Sequence, residues 1–185
     1  MLTTWLNSDV GLDYERVGAP HGRMGVGITG RLFEMKFSTR YDTDSTAEDL
    51  FGVIGDFGRI ERMLMRRGAS VTRIDPAQDP GTGMGWRIGF DWRGRPRCLR
   101  LDVTRYDRPE RLSMAGTSDA LDINIDATVI ALSRSRSRLL FEADVRPRNM
   151  KARLMLQTAK LAKPQLDRKF DRRIGEFLSD MKDAA

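Results

Sequence analysis

The stretch Asn149–Met181, NMKARLMLQTAKLAKPQLDRKFDRRIGEFLSDM, decides how the rest of the chain is read. Its apolar residues recur with the period of one long helix, interrupted at Pro164. After Pro164, the residues Leu166, Phe170, Ile174, Phe177, Leu178 and Met181 make a single stripe. Arg168, Lys169, Arg172, Glu176 and Asp180 mostly avoid it. Before Pro164 the apolar residues spread over two sides. Met150, Leu154 and Leu161 lie on one, while Ala152, Met155, Leu156, Ala159 and Ala162 continue the stripe of the second half. Only Arg153, Gln157 and Lys160 form a clearly polar ridge. Pro164 cannot supply the amide that would bond the Lys160 carbonyl, so the sequence predicts a bend there. The second half is expected to clamp the fold. The first half is expected to act as a gate, with a cavity on one side and a membrane, a partner subunit or the N-terminal tail on the other.

Such a helix needs an apolar surface to cover, and the preceding residues supply one. Leu32–Tyr41 alternates as a strand, with Met35, Phe37, Thr39 and Tyr41 on one face. Ser45-Thr46-Ala47-Glu48 has the form of a capping box opening a helix through Ile54. Asp56-Phe57-Gly58 interrupts it, and a second short helix, Arg59–Arg67, stops at Gly68. The period then changes to two. Strands are expected over Ser70–Asp75, Gly85–Trp92, Cys98–Tyr106, Arg111–Thr117, Leu121–Leu132 and Arg138–Arg146, with turn-rich sequence between them. Each is apolar on one face and charged on the other, the pattern of an antiparallel meander with one solvated side. A one-faced sheet must bury its apolar side against helices or curl around it.

A chain of 185 residues makes one domain with a sizeable core. No run approaches the ~20 apolar residues of a membrane span, and the first residues lack the pattern of a signal peptide. Residues 1–30, broken by Gly11, Gly18, Gly22, Gly25, Gly27 and Gly30, read as a flexible tail, with Met24 and Met35 as alternative starts. The single cysteine, Cys98, excludes an internal disulfide framework. Cytoplasmic residence, with peripheral attachment to a membrane as a variant, is the expectation. A net charge of +6 is compatible with nucleic acid, an anionic membrane, an acidic partner, or simply a basic composition.

This order of strand, two short helices, six strands and a long C-terminal helix resembles the START-like, or SRPBCC, superfamily. The resemblance covers about Met35 to Met181. It rests on the helix at Ser45–Ile54, the Asp56-Phe57 elbow, the loop Asp79-Pro80-Gly81-Thr82-Gly83, the turn from Tyr106 to Leu112, and the closing helix. It implies an α+β helix-grip fold, a curved antiparallel seven-stranded sheet wrapped around the long C-terminal helix. Residues 31–183 would form a domain that binds a hydrophobic ligand. Members of the superfamily bind lipids, sterols, quinones or polyketides, and some are cyclases or aromatases. The metal site of its ring-hydroxylase branch has no counterpart here.

The residues themselves offer little catalytic chemistry. The only histidine, His21, sits in the tail between Pro20 and Gly22. With that histidine set aside no other is left to serve a Ser-His-Asp or Cys-His pair, and no metal or other cofactor is expected. Cys98 lies beside Arg97 and Arg100, whose charges could lower its pKa, but it reads first as a small residue at a strand start. Gly81-Thr82-Gly83-Met84-Gly85 lacks the phosphate-loop pattern and reads as a hairpin loop near a cavity mouth. Asp122, Asn124 and Asp126 share an outward strand face and suit cross-strand pairing with Arg or Lys.

The expected ligand cavity is lined by Tyr41, Trp86, Ile88, Phe90, Trp92, Leu101, Met114, Ile125, Phe141, Met150, Leu154, Thr158 and Leu161. A second candidate surface is the basic run Arg146, Arg148, Lys151, Arg153, Lys160 and Lys163, fitted to an anionic membrane or a protein partner. Nucleic acid is not expected, because no aromatic interleaves that run. Three functions follow: a non-enzymatic carrier or sensor of a small hydrophobic molecule; a cyclase, aromatase or dehydratase; or a docking module. The chain is expected as a monomer or a homodimer.

Overall fold

A computed structural model describes residues 34–75, 79–92 and 94–183, the last three without their side chains. The expected tail 1–30, His21, Leu32, Arg93 and the side chain of Met181 lie outside the described residues. The elements run β1 (Met35–Thr43), α1 (Ala47–Gly55), α2 (Phe57–Arg66), β2 (Ser70–Arg73), β3 (Gly85–Trp92), β4 (Arg95–Asp107), β5 (Arg111–Ser118), β6 (Leu121–Ala131), β7 (Ser137–Pro147), α3 (Met150–Leu161) and α4 (Lys163–Asp183). The sheet is antiparallel throughout, in the order β1-β7-β6-β5-β4-β3-β2. A register shift between Val103 and Arg105 in β4 adds the local bend that a bulge brings.

The local signals hold with small displacements. The N-cap of α1 is Thr46 rather than Ser45: its hydroxyl oxygen accepts from the Asp49 amide at 3.0 Å. Thr46 takes this role because Asp49, three residues on, returns the contact by accepting from the Thr46 hydroxyl at 2.7 Å. Glu48 instead pairs with Arg108. Asp56 ends α1 and caps α2, accepting from Arg59 N at 2.9 Å, so α2 begins at Phe57, two residues earlier than expected. Gly68 takes φ +84°, the left-handed conformation that terminates a helix.

The C-terminal helix breaks at Ala162, two residues before Pro164. Proline fits the first turn of a helix, where its missing amide has no partner to lose. Pro164 is the second residue of α4, and the Ala162 carbonyl accepts from both Gln165 N (3.0 Å) and Leu166 N (3.1 Å). The proline therefore starts α4 rather than bending one continuous helix.

The apolar core lies on one face of the sheet. Leu50, Phe51 and Ile54 of α1 and Phe57 of α2 pack on Trp86, Ile88, Val103, Leu112, Ala127, Val129 and Leu139, with Leu178 of α4. Phe51 meets Tyr106 edge-on, with ring centroids 5.2 Å apart, and Phe57 lies 5.1 Å from Trp86. Ser137 is fully buried, and its hydroxyl donates to the Ser45 carbonyl at 2.8 Å, tying β7 to the start of α1. The opposite face carries ion pairs, among them Arg138–Asp42 (2.6 Å) and Lys36–Asp144 (3.4 Å), each linking directly opposed residues of β7 and β1. Asp126 accepts from Arg111 (2.8 Å) and Ser113 (2.6 Å). Burial alone would raise its carboxyl, but these two donors outweigh that and hold it below the usual carboxylate value.

α4 is fastened to β1. Phe170 stacks between Phe37 (5.3 Å) and Phe141 (5.9 Å). The Thr39 hydroxyl donates to the Asp171 carboxylate and the Tyr41 hydroxyl to the Asp171 carbonyl. Burial, and then the Asp171 charge, raise the Tyr41 pKa, so it stays a protonated donor. The close approach requires Gly175, where a Cβ would stand 2.8 Å from the Tyr41 hydroxyl oxygen. Replacing Gly175→Leu is therefore expected to cost about 1–3 kcal/mol in urea unfolding. Tyr41→Phe is expected to cost about 1 kcal/mol, and the double variant less than the sum because both act on one contact.

Candidate functional site

Concave-face coverage is uneven, and the shortfall lies under α3. Only Ala152 and Leu156 of that helix are buried. Beside them is a pocket of about 200 Å³, open to solvent. Phe90 and Trp92 of β3, Leu99 of β4, and Leu121 and Ile123 of β6 form its apolar wall, and Met155 of α3 forms part of the roof. Its polar groups are Arg97, Cys98, Ser118 and Asp119. Arg97 stands directly opposite Phe90 in the β3–β4 ladder, so both point to the concave side. It makes no ion pair with any described residue. A second pocket, of about 60 Å³, lies beneath α2 among Phe57, Ile60, Glu61, Leu64, Val71, Trp86, Ile88, Leu101 and Met114. That is room for about two waters, too little for an organic ligand. Here Glu61 accepts from the Trp86 indole N–H at 2.5 Å.

The expected cavity residues do not form one set. Phe90 and Trp92 line the larger pocket, while Trp86, Ile88, Leu101 and Met114 line the smaller. Ile125 lies on the concave face between Met114 and Ala143 but lines neither pocket. Tyr41 and Phe141 are engaged by α4. Met150, Leu154 and Leu161 are a correction: they are 72%, 66% and 87% exposed and face away from the sheet. Thr158 is also exposed, its hydroxyl donating back to the Leu154 carbonyl at 3.1 Å. The reason is helical phase. The small residue Ala152 and its neighbour Leu156 let α3 sit on the sheet, which turns the Met150 side outward.

The basic run also divides. Arg146 pairs with Glu34 (2.8 Å), Arg148 with Asp122 (3.6 Å) and Lys163 with Asp167. Lys163 also lies 4.9 Å from the Phe37 ring centre. Lys151, Arg153 and Lys160 are the exposed members carried by α3 itself.

Sequence reasoning missed Arg97, Ser118, Asp119, Met155 and Glu61. Starting β4 at Cys98 left Arg97 in a turn, whereas the strand begins at Arg95 and its alternation places residues 95, 97, 99 and 101 together. Glu61 had a visible signal: it is the one charge in the middle of the Phe57–Ile60–Leu64 stripe of α2. The glycine loop 81–85 lines neither pocket as a mouth. It closes instead on β4 through Gly83 N to the Val103 carbonyl at 2.9 Å. Among the described residues no cluster of His, Cys, Asp and Glu could hold a metal ion, and no helix is long and apolar enough to cross a membrane.

No protein-family model and no curated protein matches the chain. Solved structures do. A Thermus thermophilus protein, TTHA0849, superposes with a TM-score of 0.60 at 10% identity, over 82% of this chain and 99% of that one. The Zhui aromatase/cyclase of Streptomyces sp. R1128 superposes at 0.54 and 14% identity, over 80% and 94%. Norcoclaurine synthase of Thalictrum flavum, in complex with dopamine and hydroxybenzaldehyde, superposes at 0.56 and 12% identity, over 89% and 96%. The fold is the START-like helix grip. At these identities the likeness is one of fold, and a helix-grip scaffold hosts unrelated functions.

Within this helix grip, Cys98 is a half-buried residue of β4. Burial pushes its thiol up, Arg87 opposes the shift and Asp119 adds to it, so neighbouring arginines do not make it a ready thiolate. Cys98 is expected to react with a disulfide reagent more slowly than a free cysteine at pH 8, with a rate still rising above the ordinary thiol pKa of about 8.5. A titration midpoint at or below that value would contradict the assignment.

Proposed function

We propose that the chain binds a small, mainly apolar molecule in the pocket under α3, as a carrier or sensor rather than a catalyst. The observation that supports this is an apolar-walled pocket with an arginine, Arg97, that has no ionic partner among the described residues. Apolar walls supply affinity, and one or two placed polar groups orient the ligand. Arg97 suits an acidic or hydrogen-bond-accepting end. The volume, about 200 Å³, falls below the ~300 Å³ at which drug-sized ligands begin. The pocket as it stands fits a small molecule, or one end of a larger one if α3 lifts. A helix held by Ala152 and Leu156 has little burial to lose in lifting, which supports the gate role expected from the sequence.

A cyclase or dehydratase reading has one observation in its favour: Asp119 lines the same pocket as Arg97. Against it, the half-buried thiol is not activated, and the Glu61 carboxylate is occupied by the Trp86 indole.

Native mass spectrometry of the purified chain, with organic extraction, is expected to show a bound small molecule or uptake of a fatty-acid-like fluorescent probe. Met155→Trp fills the roof and is expected to reduce probe affinity at least tenfold with little change in melting temperature. Arg97→Met is expected to weaken acidic probes more than their esters. A chain that is reproducibly empty, and takes up no probe, overturns the reading. Hydrogen exchange provides a separate check on the gate: α3 amides are expected to exchange faster than those of α4 facing β1, and equal protection would remove the gate.

A further inference from the structure

The outer side of α3 presents a surface that the pocket does not use. At 100° per residue, Met150, Leu154 and Leu161 fall within about 40° of one another, while Ala152, Leu156 and Ala159 fall about 180° away. The second group faces the sheet; the first is a stripe about 16 Å long that projects large aliphatic side chains into solvent. Arg153 and Lys160 flank the stripe on one side and Lys151 on the other. α3 contains no acidic residue. Exposed aliphatic side chains bordered by Lys and Arg are the pattern of a helix lying in the plane of a lipid interface.

We infer that the Met150–Leu154–Leu161 face of α3 docks the protein on the surface of an anionic lipid bilayer. Charge selects this occupant over a second copy of the chain. Pairing two copies through this face would crowd the like charges of Lys151, Arg153 and Lys160 along one seam. Three side chains also fall well short of the ~800 Å² per partner that a stable dimer buries. A bilayer meets both requirements: its acyl region takes up the stripe and its headgroups meet the flanking cations. The docked helix lies on the surface and does not span, in keeping with the absence among the described residues of a helix long and apolar enough to cross.

Co-sedimentation of the full 185-residue chain with vesicles tests this. Vesicles with a third phosphatidylglycerol in phosphatidylcholine are expected to bind it at least tenfold more tightly than pure phosphatidylcholine, with affinity falling as salt rises. Lys151→Glu with Arg153→Glu is expected to weaken binding at least twenty-fold, at about fivefold per basic residue lost. Leu154→Ser with Leu161→Ser is expected to weaken it at least tenfold while leaving the melting temperature unchanged, since both side chains are exposed. A Leu154→Trp variant gives an independent readout, since its added fluorescence is expected to be quenched by brominated lipid. The proposal is overturned if the chain ignores anionic vesicles, if the leucine variant binds them like the wild type, or if the new tryptophan escapes quenching. It is also overturned if the leucine pair instead holds together a concentration-dependent dimer that does not bind vesicles.

Discussion

Everything in this molecule answers to one requirement, that the concave face of a seven-stranded sheet be kept from water. Leu50, Phe51, Leu112, Val103 and Leu139 are all but fully buried on that face, and they come from α1 and from strands distant in sequence. Each such side chain contributes on the order of 1.5–3 kcal/mol when removed from water. The exposed ion pairs of the convex face are each worth about 0–1 kcal/mol. The concave packing therefore decides stability, and the charged ladders mainly fix register and solubility.

Four helices share the covering task unequally. α1 lies over β6 and β7, α2 closes the β2 side, and α4 closes the β1 edge through Phe170, Asp171 and the approach at Gly175. α3 packs on β7, buries only an alanine and a leucine, and reaches the pocket at the ends of β3 through β6 with Met155. The pocket is what remains when a small-residue helix face roofs a sheet lined with Phe90, Leu99 and Ile123. The same phase that seats α3 turns Met150, Leu154 and Leu161 to the outside, so the loose roof and the exposed stripe are two consequences of one packing choice.

Much of the fold was legible. β3 matches its sequence boundaries, and the other strands differ by a few residues at their ends, because alternation marks which residues share a face but not where hydrogen bonding stops. The site was legible only in part. Trp86 and Phe90 have the same sequence signal, yet one is buried under α2 and the other lines the open pocket, because nothing local records which helix lies above each position along a strand. Arg97 was hidden by a strand end, and Glu61 was overlooked although its place in an apolar stripe was on view.

By itself the sequence determined the periods: two for the sheet, 3.6 for the helices, with Gly68 marking where a helix stops and Pro164 marking an interruption whose form, a new helix start, it did not show. Those are local steric and hydrogen-bonding facts, carried by each residue whatever surrounds it. The two-sided apolar pattern of residues 150–161 was equally visible, but not which side goes inward. Only the tertiary structure decided that, because the choice depends on the space left between α3 and the sheet. That space admits the face of Ala152 and Leu156, where the small alanine allows close approach, and leaves the opposite face of Met150, Leu154 and Leu161 outside.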